Sequence, residues 1–143
     1  MKKIKLLLAF SIALVLLSLL GYAQTKTISA EEITGLYWSP KKDAKIEIYL
    51  KGDHYYGKSV WVATPRKDTK NPKESLRDRE VLGIELLTNF SYDNGTYTHG
   101  EVYDPESGKT YSCKMNLNGD KLKVRGYVGI SMFGRTEIFE RIQ

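Results

Sequence analysis

The sequence predicts an all-β protein of about eight antiparallel strands in meander order, closed into a barrel. Three observations carry this expectation. From Ile33 onward, apolar and polar residues alternate with period two, the spacing that turns one face of a strand to a core and the other to water. Turn-forming groups of Gly, Asn and Asp separate the alternating runs. No amphipathic stretch of helical period follows residue 23, apart from a short turn near Ser75–Val81. An open meander of this size leaves two unpaired edges and closure removes both. A two-sheet β-sandwich is the alternative that the same pattern allows.

The chain begins with Lys2, Lys3 and Lys5, an apolar run from Leu6 to Leu20, and Gly21-Tyr22-Ala23 ahead of Gln24. These are the basic, apolar and small-residue regions of a secretory signal peptide over residues 1–23. The run is shorter than the roughly 18 apolar residues of a membrane helix, so no stable span is expected after cleavage. No cysteine stands near the cut to take a lipid. Export to the periplasm or the medium is expected. The leader holds three of the 22 basic residues, leaving 19 against 17 acidic ones. That balance is too even for a nucleic-acid partner, which needs clustered cations. Residues 24–32 are polar and read as a tether, and 33–143 as a single barrel domain.

Within that domain strands are expected over Leu36–Ser39, Ala44–Leu50, Tyr55–Ala63, Leu86–Tyr92, Thr96–Tyr103, Lys109–Leu117, Lys121–Val128 and Arg135–Ile142. Ala44, Ile46, Ile48 and Leu50 alternate with Lys45, Glu47 and Tyr49. Tyr111, Cys113, Met115 and Leu117 alternate with Ser112, Lys114 and Asn116. Gly52-Asp53, Asp93-Asn94-Gly95, Glu106-Ser107-Gly108 and Asn118-Gly119-Asp120 mark hairpin turns. The stretch 64–80, TPRKDTKNPKESLRDRE, breaks the alternation and is long for a hairpin connection; such loops are usually functional or mobile. Val81–Leu87 is apolar on both parities apart from Gly83 and Glu85, which predicts burial on both sides.

Residues able to carry chemistry are few. A single cysteine excludes a disulfide framework and a thiolate zinc site, and two histidines lack metal-ligand spacing. No metal and no cofactor is expected. Cys113 lies on the apolar parity of its strand and reads as a small buried hydrophobe. Gly52-Asp53-His54-Tyr55-Tyr56-Gly57-Lys58-Ser59 matches a phosphate-loop pattern, but Tyr55-Tyr56 and Val60-Trp61-Val62 favour extended backbone where that motif needs a helix. With no nucleophile–base pair in view, a hydrolase acting on envelope material is the least supported class.

The long loop concentrates Arg66, Asp68, Asn71, Arg77, Asp78 and Arg79. Two arginines two residues apart can grip a carboxylate or phosphate, or tie the loop to itself. The expected site is the barrel mouth beneath this loop, holding a small molecule or an envelope component without catalysis. Asp68, Asn71, Arg77 and Arg79 would give it polarity, Trp61 or Tyr103 contact area, and Lys58 a charge on the strand feeding the loop. By parity Lys58 and Trp61 lie on opposite faces, so at most one points inward. The alternative is a structural or protein-interaction module of the envelope. The sequence sets no oligomeric state.

A set of short pieces is specific as a group: Gly35 followed by Trp38; Gly57-Lys58 with Val60-Trp61; Asp68 with Asn71-Pro72; Leu76-Arg77 and Arg79; Leu82-Gly83; Tyr103-Asp104-Pro105 with Gly108-Lys109 and Tyr111; and Leu122, Val124-Arg125-Gly126-Tyr127, Gly129 and Gly134-Arg135-Thr136. On these the chain resembles domain-of-unknown-function family 2147, small exported bacterial proteins, from about Ile33 to Ile142. The resemblance implies a lipocalin-like (calycin) barrel and no assigned activity. A fainter similarity is to lipocalins themselves, which open with Gly-x-Trp on the first strand and close with an arginine stacked on that tryptophan. Here two residues rather than one separate Gly35 and Trp38. The resemblance implies that Arg135 or Arg141 covers Trp38 by a cation–π contact and closes the barrel end, a structural role.

Overall fold

A computed structural model describes residues 29–143; the expected signal peptide and the first part of the tether lie outside the described residues. Eight strands follow in order: β1 Gly35–Trp38, β2 Ala44–Lys51, β3 His54–Val62, β4 Glu85–Asp93, β5 Thr96–Asp104, β6 Lys109–Asn118, β7 Lys121–Tyr127 and β8 Arg135–Arg141. Each pairs antiparallel with the next, and β8 returns to β1 through Tyr37↔Arg141 and Trp38↔Glu140. The barrel is closed, and the two-sheet alternative falls away. The strands begin and end within a residue or two of the positions that alternation predicts. No helix among the described residues is long and apolar enough to cross a membrane.

The turns β2–β3, β4–β5 and β6–β7 share one end of the barrel, and that end is filled. Tyr37, Phe90, Tyr97, Cys113, Met115 and Leu122 expose no surface there. Residues 30–32, expected as tether, belong instead to this plug. Ala30–Ile33 forms a 3-10 turn whose Ile33 is fully buried. Tyr97 donates to the Ala30 carbonyl at 2.7 Å and Tyr37 to the Ile33 carbonyl at 2.8 Å. An apolar side chain inside and two satisfied carbonyls give this short segment a reason to order that its polar composition does not show.

Arg141 closes the same end, by a different contact from the one expected. Its guanidinium lies 4.8 Å from the ring centre of Tyr37, not over Trp38, and it donates to the carbonyls of Thr34, at 2.9 Å, and of Glu32. Gly35 makes room for it: with φ at 137°, a Cβ there would stand 2.7 Å from Arg141 Nη1. Gly35 and Tyr37 are separated by one residue, so Tyr37 takes the inward place that the lipocalin pattern gives to tryptophan. Trp38, next along the strand, must face outward. There Lys45 covers it at 4.8 Å, while Arg135 sits at the opposite end of the barrel beside Glu137, 2.6 Å away. Burial pushes the Tyr37 phenol up to about 12, against the opposing pull of Arg141.

Candidate functional site

Toward the other end the inward side chains shrink. Along β2 they run Ile48, Ile46, Ala44; along β7, Leu122, Val124, Gly126; on β3, Ser59 and Val62 stand where Tyr55 fills the closed end. The space left is a cavity of about 880 Å³, within the range of a few hundred to about 1,000 Å³ typical of small-molecule pockets. Ile46, Leu87, Val124 and Phe139 line its depth, and Ala44, Val102, Tyr111 and Tyr127 its walls. The rim is polar. Lys41 and Arg66 both reach Glu106, at 3.0 and 3.6 Å, and Ser39 donates to Asp43 at 2.8 Å. On the inner face of β8, Arg135 and Glu137 form an ion pair at the mouth. An apolar well under a charged rim suits a molecule with an apolar body and a polar end.

The sequence-predicted residues divide into three places. Of the seven residues expected at the ligand site, Tyr103 alone lies on the cavity wall, joined at the mouth by Arg135, expected at the barrel closure. Lys58 and Trp61 both face outward, away from the cavity. Parity puts them on opposite faces, but β3 carries a bulge: Ile46 pairs with Ser59 while Lys45 pairs with Trp61, and the extra residue, Val60, resets the alternation. Outside, Lys58 pairs with Glu47 at 3.1 Å, and Trp61 meets the edge of Trp38 with ring centres 5.7 Å apart.

Asp68, Asn71, Arg77 and Arg79 form a network within the loop. The carboxylate of Asp68 is fully buried. It accepts from Tyr103 Oη, from Asn71 Nδ2 at 2.8 Å and from Arg79 Nε at 2.9 Å. Arg77 Nε donates to the Asn71 carbonyl at 2.9 Å. Burial alone would raise the Asp68 pKa, but the bonds from Tyr103, Asn71 and Arg79 outweigh it and hold the carboxyl below its ordinary value. The two arms of the loop also pair, with Asp68 N on the Arg79 carbonyl and Val81 N on the Arg66 carbonyl. Around the hub sits a 3-10 turn, Glu74–Leu76. At the far side, Gly108 in the β5–β6 turn packs so close that a Cβ would lie 1.9 Å from the Lys70 carbonyl oxygen. The loop is therefore tied to β5 through Tyr103. Its base, at Thr64, Arg66 and Val81, forms part of the cavity rim.

Sequence reasoning missed Val102, Tyr111, Gly126 and Glu137, which shape the cavity. A signal for them exists in the graded size of inward side chains along each strand, and it becomes readable only when strand direction and closure are known. Cys113 lies inside at the filled end, with burial pushing its thiol up to about 12. Among the described residues no three His, Cys, Asp or Glu side chains gather where they would hold a metal ion.

Comparison with known proteins agrees with this architecture. Residues 35–141 match the family described as "Uncharacterized protein conserved in bacteria (DUF2147)", and the chain belongs to that family. A solved structure, "Protein HP1028 from the human pathogen Helicobacter pylori belongs to the lipocalin family", superposes with a TM-score of 0.71 at 22% identity, over 78% of this chain and 84% of that one. At that identity the likeness concerns the fold, a lipocalin-like barrel. No curated protein sequence matches the chain.

Proposed function

With membership of that family as the premise, we propose that the protein binds one small apolar or amphipathic molecule in the barrel mouth and does no chemistry on it. The observation that carries this reading is the cavity of about 880 Å³ with apolar walls and a charged rim. The apolar part of the ligand rests against Val102, Tyr111 and Phe139, and its polar end meets Arg135, Glu137 or the Lys41–Glu106–Arg66 cluster. Asp68, Asn71, Arg77 and Arg79 act by holding the loop that forms one side of the rim. Binding rather than catalysis is favoured because the one thiol is buried and protonated at neutral pH. In the same reading residues 1–23 are a signal peptide, and the ligand is a small molecule or an envelope component met in the periplasm or the medium.

The test is a fluorescence titration with an environment-sensitive apolar dye, followed by displacement with fatty acids and other amphiphiles. Saturable binding is expected, and Val102→Trp, which puts an indole into the cavity, abolishes it while the far-UV spectrum is kept. Equal binding by that variant, or no binding of any amphiphile by the native protein, overturns the reading. The outer face supports a second one, an interaction module. Lys45 lies 4.8 and 5.4 Å from the rings of Trp38 and Trp61, and Trp61 keeps 41% of its surface exposed. Cross-linking in the native envelope to one reproducible protein, lost in Trp61→Ala, would select that reading.

A further inference from the structure

The connection between β7 and β8 reverses the usual order of inside and outside. Val128, Ile130, Met132 and Phe133 each expose between 58% and 79% of their surface, whereas the other large aliphatic, Phe and Trp side chains among the described residues stay below half. Three consecutive carbonyls at the tip of the same loop, those of Ile130, Ser131 and Met132, are turned to the protein and accept hydrogen bonds. Arg125 Nε donates to the Ser131 carbonyl at 2.7 Å, its Nη2 to the Met132 carbonyl at 3.0 Å, and its Nη1 to Thr136 Oγ1 at 2.8 Å. Lys114 Nζ reaches Ser131 Oγ at 3.3 Å, and the 3-10 turn Ser131–Phe133 ties Gly134 N to the Ser131 carbonyl. A hydrocarbon phase admits a loop of this kind, because it penalises unpaired backbone groups and rewards exposed apolar side chains.

Charge below the loop points to the occupant. Lys114 and Arg125 stand directly opposite each other on the outer face of β6 and β7, with Lys123 two residues further along β7. None of the three has an ion-pair partner among the described residues, whereas Lys41, Lys58, Lys67 and Arg79 each pair with an acid. Like charges across a rung repel, and anionic headgroups relieve that repulsion. At a rise of about 3.3 Å per strand residue, Arg125 and its partner Lys114 stand about 7 Å from the end of β7 and Lys123 about 13 Å along the strand. The tilt of barrel strands shortens these heights, so the first two lie within the ~10 Å depth of the interfacial layer and Lys123 at its margin when the loop tip enters the acyl region. Val128 and Phe133 also line the cavity mouth, so the tip touches both the well and the solvent.

We propose that the Val128–Gly134 loop docks the barrel, mouth first, onto an anionic phospholipid surface, with Phe133 and Met132 inserted and Lys114, Arg125 and Lys123 against the headgroups. The inference concerns the surface and does not depend on what fills the cavity. It gives an amphipathic ligand a dry route between bilayer and well.

The experiment places an environment-sensitive fluorophore on Met132→Cys and, as a control, on Asn94→Cys in the β4–β5 turn at the closed end. Cys113 is buried and takes no label in the folded protein. Each protein is mixed with vesicles of phosphatidylcholine alone and of phosphatidylcholine with phosphatidylglycerol. The expected result is a blue shift at position 132 with the anionic vesicles, and none at position 94. Phe133→Asp should weaken the vesicle partitioning at least about tenfold, and Lys123→Gln roughly fivefold. Equal shifts at both positions would mean contact through the N-terminal leader and overturn the proposal. So would equal shifts with both vesicle types, no shift at all, or a concentration-dependent shift without vesicles, the sign of a second copy covering the loop. Val102→Trp is expected to leave the docking unchanged, which separates failure here from failure of the binding reading.

Discussion

The two ends of the barrel are built from the same eight strands and differ in what the strands carry inward. At the closed end Tyr37, Phe90 and Tyr97 are fully buried, a 3-10 turn enters from the chain's start, and Arg141 pins that turn through its carbonyls. At the mouth the corresponding positions hold Ala44, Val102 and Gly126, and the space they leave is a cavity. An eight-stranded barrel has an interior just wide enough for side chains or for one small ligand. The two ends differ in packing: side chains fill the barrel at one end and leave a cavity at the other.

The sharpest way to break the comparison is to remove bulk at each level. Phe90→Ala is expected to cost about 3–5 kcal/mol of unfolding free energy, because it opens a void in close-packed surroundings. Val102→Ala, beside a cavity that already exists, should cost about 1 kcal/mol or less. Urea denaturation of the pair measures both, and similar losses would show that the mouth is packed as tightly as the closed end.

A smaller effect is expected at the loop hub. Asp68→Ala leaves Tyr103, Asn71 and Arg79 facing an empty site, at a cost of roughly 2–4 kcal/mol, the lower part applying because Arg79 can turn to water. The pH dependence has a definite sign. The folded carboxyl sits below its ordinary value of 3.8, so the folded state binds its proton less readily than the unfolded chain does. Its contribution is whole above that value and is lost as the pH falls below it, through the lowered pKa of the folded state. Asp68→Asn should therefore flatten the acid limb of a stability–pH curve. An unchanged limb would remove Asp68 from the loop's support.

The smallest pair uses one methyl group. A Cβ on Gly100 would lie 2.4–2.5 Å from the ring of Phe90, whereas one on Gly126 would meet Val102 and Tyr111 at 3.4 and 3.6 Å. Gly100→Ala should cost about 1–3 kcal/mol by overpacking, and Gly126→Ala within about 0.5 kcal/mol of nothing. Thermal unfolding of the two variants sharpens where along the axis the filled region stops.

Much of the barrel was legible from local pattern. Alternation along β2, β6 and β7, together with Gly and Asn at the turns, located the strands, since side-chain direction in a strand follows from backbone geometry alone. The strand count then argued for closure through the need to remove edges. The site was less legible. The expectation for Lys58 and Trp61 failed to foresee a bulge, which arises from how β3 meets β2 and leaves no mark in β3 itself. The polar residues of the 64–80 loop were visible as a cluster, but composition could not distinguish side chains offered to a ligand from side chains spent on Asp68.

What the sequence by itself determined, then, is the set of strands, their order and their two-faced character, because each rests on interactions between near neighbours. Only the tertiary structure decided that Tyr37 and not Trp38 meets Arg141, that residues 30–32 plug one end, and that the other end stays open. Those outcomes depend on which side chains from distant strands arrive at the same height along the axis, and height is set by register and shear around a closed ring.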